Sequence, residues 1–150
     1  MDFSKAFEKA TALCARKEYC VSEMVTRLKR WETPDELIPL VIEKLKANSF
    51  LDENRYARFF VRDKAKFNKW GVRKIAWALR QKQIPEDIAV AALAQINEDD
   101  SLDTLTKLLS GKNRTLKLDD PYKRKAALVR FAVSRGFDYE MTLKVVERFL

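Results

Sequence analysis

Apolar residues along this chain recur at helical spacing, and no stretch shows the alternation of a half-buried strand. Phe3, Phe7, Ala10 and Cys14 share one face of a helix predicted from about Ser4 to Arg16. Val21, Met24, Val25 and Leu28, at i, i+3, i+4 and i+7, predict a second from Val21 to Trp31. Thr33-Pro34-Asp35-Glu36 reads as a helix start, with Thr33 as cap, Pro34 in the first turn and Glu36 reaching back. The helix it opens would carry Leu37, Val41 and Leu45, with Ile38 and Ile42 alongside. Asp52 then caps a helix to Phe67 that packs through Tyr56, Phe60 and Phe67. Gly71 separates this from a helix with Val72, Ile75, Ala76 and Leu79 inward, and Pro85 starts another with Ile88, Ala92 and Ile96 inward. Leu102, Leu105 and Leu109 predict a helix from Ser101, and the polar Ser110–Thr115 stretch, with Gly111 inside it, reads as a loop. Asp120-Pro121 opens a helix to Arg135, Gly136 stops it through a positive φ, and Asp138 caps a last helix to Phe149.

These predicted helices repeat. Val21–Leu28 lies over Val72–Leu79 at an offset of 51, which also pairs Pro34 with Pro85 and Leu37 with Ile88. A third copy follows at 52 to 53, pairing Leu79 with Phe131 and Ile84 with Phe137. The expected fold is therefore all-α, with three tandem three-helix repeats over 1–50, 51–98 and 99–150 forming an elongated, curved array. With helices of about 12 residues, such an array would extend roughly 50–70 Å. Arrays of this kind offer long surfaces to large partners and rarely enclose a deep catalytic cleft.

Composition narrows the chemistry. There is no histidine, which removes the usual nucleophile pairs, general base and metal ligand. Three dispersed glycines, Gly71, Gly111 and Gly136, cannot form a phosphate-cradling loop. Cys14 and Cys20 read as two reduced thiols at the end of one helix and the start of the next, and their spacing does not suggest zinc. No metal, no cofactor and no enzymatic activity are expected. No apolar run approaches the ~20 residues that span a bilayer, and the N-terminus lacks the form of a secretory signal, so a cytoplasmic monomer is the expectation.

The net charge of +8 is concentrated. Residues 62–82 hold eight Lys/Arg against Asp63, and residues 107–135 hold nine against Asp119 and Asp120, so each segment carries +7. The remainder carries 8 − 14 = −6. Such asymmetry suits a polyanion or an acidic protein surface. Arg73, Trp77 and Arg80 share a helical face apart from the apolar stripe, where arginine and indole could stack on a base or pin a protein partner. The competing reading has Trp77 filling the seam to a neighbouring repeat. Arg62, Lys66 and Lys69, with Trp70, extend that surface. Lys123, Arg124 and Lys125 open a helix with three cations, against its dipole, and either an anionic partner or Asp119 and Asp120 could offset this.

Several stretches together resemble the RecX family of bacterial recombination regulators. They are Ser22-Glu23-Met24 with Leu28; Phe50-Leu51-Asp52-Glu53-Asn54-Arg55-Tyr56-Ala57; Gly71-Val72-Arg73-Lys74-Ile75 with Leu79-Arg80-Gln81-Lys82; and Arg130-Phe131 with Arg135-Gly136-Phe137. The resemblance implies a modulator that binds the RecA recombinase, lies along or at the end of its single-stranded-DNA filament, and opposes filament extension, ATP hydrolysis, strand exchange and the coprotease of the SOS response. On this reading Arg62, Lys66, Lys69, Arg73, Trp77, Arg80, Lys123, Arg124 and Lys125 contact the filament; the set itself rests on charge and exposure. A stand-alone DNA- or RNA-binding module acting without RecA is the alternative. The family usually has glycine where Gln83 stands, so the turn before Ile84 is expected to close differently here.

Overall fold

A computed structural model describes residues 1–149. Among them are nine α-helices and no strand: α1 Phe3–Cys14, α2 Val21–Arg30, α3 Ile38–Ala47, α4 Glu53–Lys66, α5 Val72–Gln81, α6 Glu86–Leu93, α7 Glu98–Thr115, α8 Pro121–Ser134 and α9 Tyr139–Val146. A 3-10 turn at Glu147–Phe149 follows. Side-chain carboxylates start four helices. Asp2 accepts from the Lys5 amide at 2.8 Å, Asp52 from Arg55 at 3.1 Å, Asp120 from Tyr122 at 3.1 Å and Asp138 from Met141 at 3.0 Å. The amide oxygen of Asn97 does the same for α7, accepting from the Asp99 amide at 2.7 Å.

The helices pack in threes: α1–α3, α4–α6 and α7–α9. Each triplet has its own apolar core. The first is built on Met24, Leu28, Val41 and Leu45, the second on Val61, Ile75 and Leu79, and the third on Leu105, Leu109, Leu128 and Val145. Three small cores leave more surface than one large one. The accessible area is 9570 Å², whereas a compact monomer of this mass exposes roughly 7,900 Å².

Helix ends also repeat. Glu32, Ser49, Gln83 and Gly136 have φ of 57°, 63°, 60° and 95°. The following amide in each case reaches five residues back: Thr33 to Leu28, Phe50 to Leu45, Ile84 to Leu79 and Phe137 to Ala132, at 2.8–3.2 Å. This is the Schellman closure, in which an apolar residue after the left-handed position packs on the last helical turn. Gln83 therefore closes its turn as Gly136 does, contrary to the expectation that its side chain would change the loop.

Three sequence expectations need correction. The third helix begins at Ile38, a turn later than Thr33-Pro34 suggested, with Pro39 in its first turn. Thr33 serves the end of α2 instead: its amide donates to the Leu28 carbonyl at 3.0 Å and its side chain is buried. Residues 110–115 are not a loop, because α7 continues through Gly111 to Thr115. Phe67 and Val72, expected in the core, are exposed; Phe67 ends α4 and is 70% accessible.

Candidate functional site

The second domain carries the most concentrated run of cations, and its fold divides them into two sets. Lys64 and Lys74 lie over the Trp70 indole at 5.2 and 4.5 Å from its centroid. Lys82 donates to Glu23 of the first domain at 3.0 Å. Arg62, Lys66, Lys69 and Arg80 are exposed and form no ion pair among the described residues. Arg73 reaches Asp138 at 3.5 Å, but both ends are well exposed, so solvent discounts the contact heavily.

Trp77 decides one open question. Its side chain is 57% accessible on the outer face of α5, between Arg73 and Arg80, and fills no seam to another domain. The apolar stripe of α5 is carried by Ile75, Ala78 and Leu79. The outer face of α4 has the same character, with Arg58, Phe59, Arg62, Lys66 and Phe67 all exposed. Sequence reasoning missed Arg58, Phe59 and Phe67. Phe59 and Phe60 are adjacent, and only the register of the helix on Ala57 and Val61 shows that Phe59 points outward.

Arg62, Lys66 and Lys69 also converge on one feature. They line a groove of about 590 Å³ between the second and third domains, whose opposite side is α7. Lys123, Arg124 and Lys125 do not line it. Arg124 is instead bound into its own domain. Its guanidinium donates to the carbonyls of Leu116 at 3.3 Å, Leu118 at 2.6 Å and Asn113 at 2.9 Å, and to the Asn113 side chain. It thus caps the C-terminal end of α7, where cations favour the helix dipole. Lys123 stays exposed beside Tyr122, which is 81% accessible, and Lys125 is half-buried.

The seams between domains differ in chemistry. At the first, the Ser22 hydroxyl donates to the Lys82 carbonyl at 2.7 Å and the Val21 amide to Glu53 at 3.1 Å. Arg55 pairs with Glu18, and Cys20 packs into the second domain's core. Burial pushes the Glu23 carboxyl up, but the Cys20 amide and the Lys82 ammonium outweigh it, so Glu23 titrates below the usual carboxylate value. Burial raises the Tyr56 hydroxyl and the Cys14 and Cys20 thiols. At the second seam the backbone does the joining. The Gly71 amide donates to the Arg135 carbonyl at 2.7 Å, and the Arg73 amide to the Gly136 carbonyl at 3.1 Å. A Cβ on Gly71 would fall 2.4 Å from the Gly136 carbonyl carbon, and one on Gly136 would fall 2.5 Å from the Lys74 Cβ. No set of three His, Cys, Asp or Glu residues is placed to hold a metal among the described residues, and no described helix is long and apolar enough to cross a membrane.

A tandem of three three-helix domains with an outward basic and aromatic surface defines an all-helical repeat class. Comparison with known proteins gives the family. Models of the first, second and third RecX three-helix domains match residues 6–45, 52–93 and 98–146. The chain is 33% identical to Regulatory protein RecX of Prosthecochloris aestuarii over 149 residues, covering 99% of this chain and 96% of that one. It is 30% identical to Regulatory protein RecX of Clostridium perfringens over 149 residues, covering 98% of this chain and 69% of the relative. A crystal structure of regulatory protein RecX superposes with a TM-score of 0.91 at 23% identity, covering 97% of this chain and 73% of that chain. RecX from Lactobacillus salivarius superposes at 0.87 with 18% identity, covering 97% and 95%. The chain belongs to the RecX family of regulatory proteins.

Proposed function

We propose that this chain binds the RecA–single-stranded-DNA filament, along its groove or at its end, and opposes its extension, ATP hydrolysis, strand exchange and coprotease activity, acting as a monomer without catalysis of its own. The observation that carries the reading is the exposed Trp77 set between Arg73 and Arg80, together with the exposed, unpaired Arg62, Lys66 and Lys69 of the same domain. Exposed indole and guanidinium are the side chains that concentrate binding energy at interfaces. Lys123 and Lys125 would add contacts from the third domain, and Arg124 would hold the loop beside them. The elongated form supports binding across more than one filament subunit. Preference for one filament pitch would then shift the filament's equilibrium.

The test is RecA ATP hydrolysis on single-stranded DNA, titrated with this protein well below one copy per RecA. Inhibition at that ratio is expected, and Arg73→Glu with Arg80→Glu should shift the half-inhibitory concentration up by tenfold or more, an estimate on the scale of about 1.4 kcal/mol. Unchanged inhibition by that variant would remove α5 from the site; no inhibition by the natural sequence would sink the reading. The exposed Phe59, Phe67 and Trp77 among cations favour one second reading, direct binding of single-stranded nucleic acid by stacking. It predicts inhibition only when the protein coats the DNA, with steep salt dependence.

A further inference from the structure

The groove between the second and third domains has two walls of opposite charge. Arg62, Lys66 and Lys69 form one; Asp100 and Asp103 of α7 stand in the other, with Lys107 a turn beyond Asp103. None of the six makes an ion pair among the described residues. Between the walls the floor is apolar, with Trp70, Val72, Ile96 and Phe137. That floor is held in place. Lys64 and Lys74 clamp Trp70, and Phe137 follows Gly136, whose carbonyl accepts from the Arg73 amide across the seam. A preformed apolar slot of about 590 Å³ lies in the size range of specific ligand pockets.

We propose that this groove receives a segment of a protein partner in which an apolar side chain is flanked by an acidic residue on one edge and a basic residue on the other. The inference rests on the functional reading above and names what that partner must offer there. The apolar residue would enter the floor, the acid would face Lys66 and Lys69, and the base would face Asp100 and Asp103. Charge complementarity selects protein over nucleic acid as the occupant. A phosphate backbone laid against the basic wall would meet Asp100 and Asp103 across the slot, with Glu98 and Asp99 just beyond in the first turn of α7. A mixed-charge peptide satisfies both walls, and juxtaposing like charges would exclude partners with the signs reversed.

The sign of one effect separates the two occupants. Affinity for preassembled RecA–single-stranded-DNA filaments would be measured for the natural sequence and for two double variants, Lys66→Glu/Lys69→Glu and Asp100→Lys/Asp103→Lys, each checked for unchanged helicity. Both variants should weaken binding by about tenfold. Thr104, which also lines the groove, would be replaced by the photo-crosslinker p-benzoylphenylalanine and should capture a RecA peptide carrying an apolar residue between opposite charges. Binding by Asp100→Lys/Asp103→Lys as tight as or tighter than the natural sequence, or capture of DNA from position 104, would overturn the proposal while leaving filament binding intact. A natural sequence that does not bind filaments would overturn both.

Discussion

Glu32, Ser49 and Gln83 each hold a left-handed backbone conformation that costs a non-glycine residue about 1–2 kcal/mol. They tolerate it because the amide that follows reaches the helix carbonyl five residues back, and because Ile84 after Gln83 is then buried in the second core. Gln83→Gly removes the steric cost, offset in part by the looser unfolded chain, and should stabilise the fold by about 1 kcal/mol in urea denaturation. Gly136→Ala should cost more than that substitution gains, since it combines a φ of 95° with a 2.5 Å approach to Lys74. The positive φ at Gly136 could be read from the sequence. The same geometry at Gln83 could not, because the hydrogen bonds that impose it do not depend on the side chain. Arg124 was equally hidden: three neighbouring cations look alike until one is seen to bind three carbonyls. Arg124→Ala should destabilise the third domain by about 1–3 kcal/mol, followed by thermal unfolding, while Lys123→Ala should leave stability unchanged.

Helices were legible where an apolar stripe and a capping side chain agree. Asp52, Asp120 and Asp138 begin their helices as their spacing predicts. Errors arose where tertiary contacts overrode local preference. Ser110-Gly111 is poor helix sequence, with glycine costing about 1 kcal/mol against alanine, yet α7 runs on because Leu109 is buried beneath it and Arg124 satisfies its last carbonyls. Thr33-Pro34-Asp35-Glu36 has every feature of a start, but Thr33 is drawn into the end of α2 instead. The outer face of α5 was legible as basic and aromatic; its freedom from packing was not, because an array buries two faces of some helices. Trp77→Ala should leave the melting temperature within about 2 °C while weakening filament inhibition, a separation that a seam-filling tryptophan would not give.

The array as a whole has one polar seam and one backbone seam. Glu23 carries its low pKa only while docked on Lys82 and the Cys20 amide. Because the folded value lies below the unfolded one, the docked carboxylate stabilises the molecule above about pH 4.5, and that contribution drains away as pH falls through the folded value. Lys82→Ala should flatten this acid-side loss, seen as a smaller change in urea midpoint between pH 6 and pH 4. Small-angle scattering should give a radius of gyration above the ~15 Å of a compact chain of this length. The repeat and its three domains were visible in the 51-residue offset, whereas the seams were not, since they join residues 32 to 65 positions apart.

The second seam also has a genetic reading. Every amino acid reachable from a glycine codon by one base change carries a Cβ, and at Gly71 and Gly136 that atom lands within 2.5 Å of the opposing strand of backbone or its Lys74 side chain. Both codons should therefore accept synonymous changes alone in a saturation screen for function. Gly111, with its nearest neighbour 3.9 Å away, should accept alanine or serine freely. Two of three glycines would stand out as fixed points of inheritance, placed by neither catalysis nor ligand but by the closeness of two backbones.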